Sequence, residues 1–563
     1  MKPRTLLFSL PLVFLLLFYF YPLLRIVLQS FLPDGLWSPE KLENLWTSST
    51  YWRILWFTTW QAALSTILTL LLALPGAYVF ARYRFFGKNL FQALLTLPFV
   101  LPTVVTAAAF GALLGANGLV NTWLMRAFDL AGPPIRLDQT LAFFLLAHVF
   151  YNYSLVLRIV GSYWAGLDAD LRAAARMLGA SPGQTFFRIT LPLLMPAVGS
   201  AALLVFIFCF TSFGVVLILG GPGFATLEVE IYRQAVQLYN LPMAAALSLV
   251  QIAVNFLLMW LHAKLSRKSP VAFYADTSSG TAIRPSTSWQ KSLVGANLLF
   301  IFLLLVTPLL ALAVRSISGE DGPTLAYYQA LFRSDEDSLF FIEPIAAVAN
   351  SISFALAAMV AAVALGLIAS VFLASARGRS TAFWDAVIML PLATSAVTLG
   401  FGYIISLNRP PINLRDSLAL VIIAHTLVAF PFVVRCILPS LRQIPQTLRE
   451  AATLLGASPL QVFRRVELPI ISRAILVGAV FAFSISMGEF GASTFVTRPH
   501  TATMPVAIFR FLGQPGEMNY GQAMAMSTLL LLVTCTAFWL LARLEVRRSA
   551  PAKPLSKDMD HIS

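Results

Sequence analysis

The chain is 563 residues long, 58% hydrophobic and only 11% charged, where soluble domains carry about 25% charged residues. That composition excludes a soluble globular protein and defines an all-α polytopic membrane protein, because apolar runs of about 20 residues each cross a hydrocarbon core. The formal charge of +14 is segregated rather than pooled. Basic clusters (Arg82/Arg84/Lys88, Lys264/Arg267/Lys268, Arg377/Arg379, Arg442/Arg449/Arg464/Arg465, Arg543/Arg547/Arg548) stand apart from the acidic Glu320/Asp321 and Asp335 to Asp337. The positive-inside rule produces this pattern, so the lipid bilayer is the expected partner and nucleic acid is not.

Met1 to Arg4 precede an apolar run, Leu6 to Leu28, that is too long for a signal-peptide core and has no small-residue cleavage site before Pro33. It reads as a first, retained span at 6–29. Hydropathy and turn residues predict further spans at 54–80, 90–115, 141–163, 194–219 and 242–263. A polar, Ser/Thr/Pro-bearing linker at 266–292 follows. Spans resume at 293–314, 347–373, 384–407, 418–439, 471–496 and 519–542. The expected organisation is a first six-helix half at 1–265, the linker, a second half at 293–543 and a tail at 544–563. With both termini and the linker cytoplasmic, every basic cluster falls on the cytoplasmic side of an inner or plasma membrane. Cys209, Cys436 and Cys535 have unrelated spacings, which suits neither a disulfide framework nor a metal site.

The halves repeat. His148 and His425, Arg158 and Arg435, Gly179 and Gly456, and Phe213 and Phe490 are each 277 residues apart. Leu97-Pro98 and Leu390-Pro391 differ by 293, so the first half carries 16 extra residues, placed in a loop around Asn117 to Gln139. An even number of spans per half makes the repeats parallel, related by an axis along the membrane normal.

Two polar islands interrupt the apolar chain. Ala174 to Pro192 and Ala451 to Pro469 agree at 12 of 19 aligned positions. In each, a short helix is expected to end at a left-handed glycine, Gly179 or Gly456. A new helix then starts at Ser181-Pro182 or Ser458-Pro459, with Gln184 or Gln461 completing a capping box. Each island is thus predicted to be a helix–turn–helix outside the bilayer, closed by Leu191-Pro192 or Leu468-Pro469 where the next span begins. Its small residues, Ala174, Ala175 and Ala180, suit docking into a groove of another protein. Loops are ordinarily the variable part of a chain, and here they repeat better than the spans around them.

Glu450-Ala451-Ala452, Gly456-Ala457 and Leu468-Pro469 resemble the Glu-Ala-Ala loop of permease subunits of ATP-binding-cassette importers. The resemblance implies that each loop is a coupling helix docked on a cytoplasmic ATPase subunit, two subunits in all. The position matching Glu450 is Ala173, so the two contacts are expected to be unequal. Both halves in one polypeptide are similar to the thiamine and ferric-iron permeases. Leu146 to Asn152, Cys209 to Phe213, Gly220 to Pro222 and Leu227 to Tyr232 are most similar to the thiamine branch, while Ser486 to Gly491 with Met504-Pro505 fits either. The resemblance also implies an extracytoplasmic solute-binding protein that delivers the cargo.

Glu489 is expected well inside the eleventh span, where an ionisable side chain is expensive and marks either a pathway or an internal partner. Its repeat partner is Ser212, and each is followed by a phenylalanine, Phe213 or Phe490. These four are the candidate translocation residues, with pairing of Glu489 to a neighbouring histidine or arginine as the alternative. His148 and His425 fit hydrogen-bonded structural roles, and Arg158 and Arg435 fit snorkelling anchors. No Gly-x-x-x-x-Gly-Lys-[Ser/Thr] occurs, so no cofactor is expected on this chain and ATP would be bound by partner subunits. An importer permease for thiamine or a related cation is the expected function. A ferric-iron permease, and more remotely an ion-coupled carrier, are the alternatives; no nucleophile–base pair supports an enzyme.

Overall fold

The computed structural model describes residues 3–33, 37, 40–167, 169–266, 282–319, 322–332, 342–375, 379–409 and 412–548. Most of the linker, the two acidic clusters, Arg267, Lys268, Arg377 and the end of the tail lie outside the described residues. A backbone within hydrocarbon must satisfy its own hydrogen bonds, which leaves helices as the form for these apolar runs. Among the described residues eleven helices are long and apolar enough to cross a membrane, and a bent pair, Thr381–Ala393 with Ala396–Ser406, makes a twelfth. Two two-residue β-ladders, Ser318–Gly319 with Gly322–Pro323 and Asn408–Arg409 with Ile412–Asn413, tie loops.

Four predicted spans are corrected. The third is three pieces, Lys88–Leu94, Leu97–Val100 and Thr103–Leu114, and the ninth turns by 91° at its break. Pro98 and Pro102 in the former and Pro391 in the latter lack the amide that a continuous helix needs. The fifth and eleventh spans stop at Phe210 and Met487, and short helices Gly214–Leu219 and Ser493–Val496 follow a break. The supposed loop at 117–139 contains a further helix, Leu119–Phe128, which together with Thr103–Leu114 makes up the membrane-length stretch Thr103–Phe128.

Of five five-residue π turns among the described residues, four, at Leu16–Phe20, Phe186–Thr190, Phe302–Val306 and Phe463–Glu467, directly precede an X-Pro step, at Pro22, Pro192, Pro308 and Pro469, and the fifth, Arg233–Gln237, does not. A proline ring clashes with the carbonyl four residues back. Widening the preceding turn keeps the helix running, with the Leu191 amide reaching back to Phe186 O and that of Leu468 to Phe463 O. Leu-Pro therefore does not close the islands. The fifth and eleventh spans begin at Pro182 and Pro459 and run through it.

The second, fourth and fifth spans pack together in the first half, and the eighth, tenth and eleventh in the second. The first span of each half lies across the other half. Tyr21–Phe31 packs on Ala396–Ser406, and Thr307–Arg315 on Thr103–Leu114. The Tyr19 hydroxyl meets Thr394 Oγ1 at 2.7 Å, and Asn297 Nδ2 donates to Tyr153 Oη at 3.2 Å. Gly402 permits one crossing, since a Cβ there would lie 3.1 Å from Pro22.

Candidate functional site

The islands lie at one end of the bundle, each as a short helix and a sharp turn. The helices are Ala169–Met177 and Gln446–Leu454, and Gly179 and Gly456 both take φ +83°, the left-handed region that glycine enters without strain. Both capping boxes form. Gln184 N donates to Ser181 Oγ at 3.2 Å while Ser181 N donates to Gln184 Oε1 at 2.9 Å, and Ser458 with Gln461 repeats the exchange. The faces differ from expectation: Ala175 is buried, and Ala180, Ala452 and Ala457 are half-buried, while Ala173, Ala174, Glu450 and Ala451 are exposed. The outward apolar surface is instead Met177 and Leu178, 88% and 89% exposed, and their repeat partners Leu454 and Leu455, also 88% and 89% exposed. Their signal in the sequence was an apolar pair, present in both copies, just before the glycine. One difference sets the islands apart. Arg449 Nε donates to Glu467 Oε1 at 2.7 Å, tying the second short helix to its span, whereas Thr190 occupies the position of Glu467.

All four candidate translocation residues line one cavity of about 370 Å³ between the halves, with Thr103, His148, Tyr151, Glu228 and Ser395. The rings of Phe213 and Phe490 stack at 5.5 Å and 23°, so residues related by the repeat meet each other. Gly214 allows this, since a Cβ there would stand 2.5 Å from Thr103 Oγ1 and 3.0 Å from the Phe490 ring.

Glu489 is not inside the eleventh span but two residues past its end. Its carboxylate accepts from the amides of Ala492 and Ser493 at 2.9 and 2.8 Å and from the Ser493 hydroxyl at 2.7 Å. His425 Nε2 is 3.7 Å away, so the internal-partner alternative is present together with exposure to the cavity. Because Ser493 gives its only hydroxyl hydrogen to Glu489, the contact at 2.8 Å requires His425 to donate from Nε2. Nδ1 lies 2.7 Å from Ser486 Oγ. His148 is likewise held between Ser65 and Ser212, each at 2.9 Å. Both histidines thus sit between hydroxyls, and among the described residues no group of three or more His, Cys, Asp or Glu could hold a metal ion.

Glu228 is the residue that sequence reasoning missed. It is fully buried, accepts from Gln251 Nε2 at 2.7 Å, and accepts from Ser395 Oγ of the opposite half at 2.9 Å. The repeat offered no signal for it, since the matching position is Pro505; its acidity within a mostly apolar stretch was the available one.

Two further cavities lie beside this one. The second, about 130 Å³, shares Thr103, Ile485 and Gly488 with the first, and shares Phe481 and Phe538 with a third of about 810 Å³. The third lies at the island end, and Arg158 and Arg435 line it. Arg158 is half-buried and hydrogen-bonded to Thr96 Oγ1, while Arg435 is exposed.

Two parallel six-span halves around a chain of cavities define a membrane transport protein. Residues 73–269 and 297–550 match the model of the binding-protein-dependent transport system inner membrane component, and the chain belongs to that family. It is 28% identical over 529 residues to the thiamine transport system permease protein ThiP of Salmonella typhimurium, covering 92% of each chain. Against the protein of that name from Brucella abortus it is 27% identical over 469 residues, covering 82% of each. Against that of Escherichia coli K12 it is 27% identical over 510 residues, covering 87% of this chain and 88% of the relative. A bacterial transporter structure involved in alginate import aligns with a TM-score of 0.40 and 18% identity, over 46% of this chain and 92% of that one.

Proposed function

We propose that the chain carries thiamine or a related organic cation inward, driven by ATP hydrolysed on two separate cytoplasmic subunits and fed by an extracytoplasmic solute-binding protein. The observation that carries this reading is the cavity between the halves, whose lining brings the carboxylates of Glu228 and Glu489 together with the aromatic residues Phe213, Phe490 and Tyr151. Acids beside aromatic faces suit a cationic ring, and the relatives bear the name of thiamine permeases. The islands are the docking points for the ATPases. Their side is cytoplasmic because the basic residues collect there, including Arg442, Arg449, Arg464 and Arg465. Closing of the ATPase pair draws the islands together and rocks the halves apart on the opposite face.

The test is uptake into proteoliposomes holding the chain, its ATPase pair and its binding protein. Labelled thiamine should accumulate only with ATP, and deleting Gly456 and Ala457 should abolish uptake while leaving membrane insertion intact. ATP-dependent uptake of ferric iron in place of thiamine would reassign the cargo. Uptake that follows an ion gradient without ATP would reject the reading.

A further inference from the structure

Tryptophan is divided unequally between the halves. Trp37, Trp46, Trp52, Trp56 and Trp60 fall together near the start of the first half, whereas the second half, 293–543, has only Trp384 and Trp539. Those two sit at the island end, Trp384 packed on Phe372 at 6.0 Å and Trp539 in the lining of the third cavity. The five stand at the opposite end. The second span, Ser49–Arg82, reaches the island end near its last turn, where Tyr78 packs on Trp164 at 5.3 Å and Trp164 stacks on Phe186. Its 34 residues make a helix about 51 Å long, against roughly 30 Å of hydrocarbon. One stripe shows where the hydrocarbon stops. Trp52, Trp56, Trp60, Ile67 and Leu71 share a face of this helix, and each is at least 42% exposed. The face changes from tryptophan to aliphatic after Trp60, and from Trp60 to Arg82 the helix rises about 33 Å, close to the thickness of the hydrocarbon. Trp60 thus marks the edge, with Trp56 and Trp52 above it at the level of the headgroups. Trp46, on the short helix Glu40–Thr47, lies 5.6 Å from the Trp52 ring, and Trp52 Nε1 donates to Trp46 O at 2.9 Å. Duplication does not account for the stripe. In the register of 293, the residues matching Trp52, Trp56 and Trp60 are Ile345, Ala349 and Ser353, although Ala349, Ser353 and Val360, the match of Ile67, are exposed on the same face.

We propose that this tryptophan surface is an anchor for the lipid headgroup layer of the outer leaflet, carried by the first half alone. An indole joins an apolar body to an N–H donor, which suits the boundary between hydrocarbon and headgroups. Arg53, exposed one turn above Trp56, extends its charged end to the phosphates along an apolar stem. Continuity with the aliphatic face below argues for lipid as the occupant, because the same stripe enters the hydrocarbon at Ile67 and Leu71. The bilayer therefore grips the first half at a set depth, while the second half meets lipid at that level through small and aliphatic residues. That the leaflet is the outer one rests on the cytoplasmic placement of the islands; the depth of the stripe does not.

The full chain is reconstituted in vesicles of dioleoyl phosphatidylcholine, or of the same lipid brominated either near the headgroup or near the chain terminus. Tryptophan emission is read for the wild type and for a variant with Trp52→Phe, Trp56→Phe and Trp60→Phe. The difference between the two is the emission of the stripe. It should be quenched about two-fold or more strongly by bromine near the headgroup than by bromine near the chain terminus, and only weakly by aqueous iodide. Should the triple variant not remain monodisperse, the single Trp56→Phe variant is read in the same way. Stronger quenching by terminal bromine would put the stripe in the hydrocarbon, and stronger quenching by iodide would put it in open water. No quenching by any of the three would put it under a partner protein or a second copy of the chain. Each of these results overturns the proposal. The readout is depth and not transport, so its failure is distinct from a failure of the cargo assignment.

Discussion

Glu489 uses both carboxylate oxygens on the Ala492 and Ser493 amides and the Ser493 hydroxyl. Glutamine there would turn an NH₂ toward a buried amide or hydroxyl. An unsatisfied buried group costs about 1–3 kcal/mol, so Glu489→Gln is expected to lower the unfolding temperature of the purified chain. Glu228 differs, because its partners Gln251 and Ser395 are side chains that can turn to meet an amide. Glu228→Gln should therefore leave the unfolding temperature unchanged while cutting thiamine uptake about ten-fold, with basal ATPase activity of the assembled complex retained. Wild-type uptake by that variant would remove Glu228 from the pathway.

Each island presents two large apolar side chains to water, and full burial of such a side chain stabilises by about 1.5–3 kcal/mol. Leu454→Ser with Leu455→Ser should abolish retention of the ATPase on the immobilised permease, and Met177→Ser with Leu178→Ser should weaken it. Equal retention by both double variants and the wild type would show that docking lies elsewhere. Arg449→Ala should reduce ATP-driven uptake more than it reduces ATPase binding, since it removes the tie between the second short helix and its span and not the exposed leucines. These islands were largely legible in the sequence, because Ser-Pro-x-Gln and a left-handed glycine specify their geometry within a few residues. The ends of the fifth and eleventh spans were not. Residues 214–219 are as apolar as the helix before them, so hydropathy runs through a break against which Thr103 and Phe490 pack from elsewhere. Misplacing the matching break after Met487 put Glu489 inside a helix, when its carboxylate accepts from the amides at the start of the next one.

For the molecule as a whole, the exchange of first spans makes the halves mutually dependent. Coexpression of 1–266 and 282–563 as two chains should give a complex that copurifies and restores uptake, while either piece alone should be degraded or aggregate. A stable, monodisperse single half would contradict the exchange as a source of cohesion. Hydropathy gave the number of halves and their parallel sense but carries no information on which span packs where, so this exchange was invisible in the sequence. It also sets a timetable during synthesis. Tyr19 and Thr394 are 375 residues apart, and at about 5–20 residues per second the ribosome needs on the order of 20–75 s to make the second after the first. Through that interval the opening helix stands in lipid with its tyrosine unmatched, so the newborn chain is most exposed to membrane proteases until translation passes the ninth span.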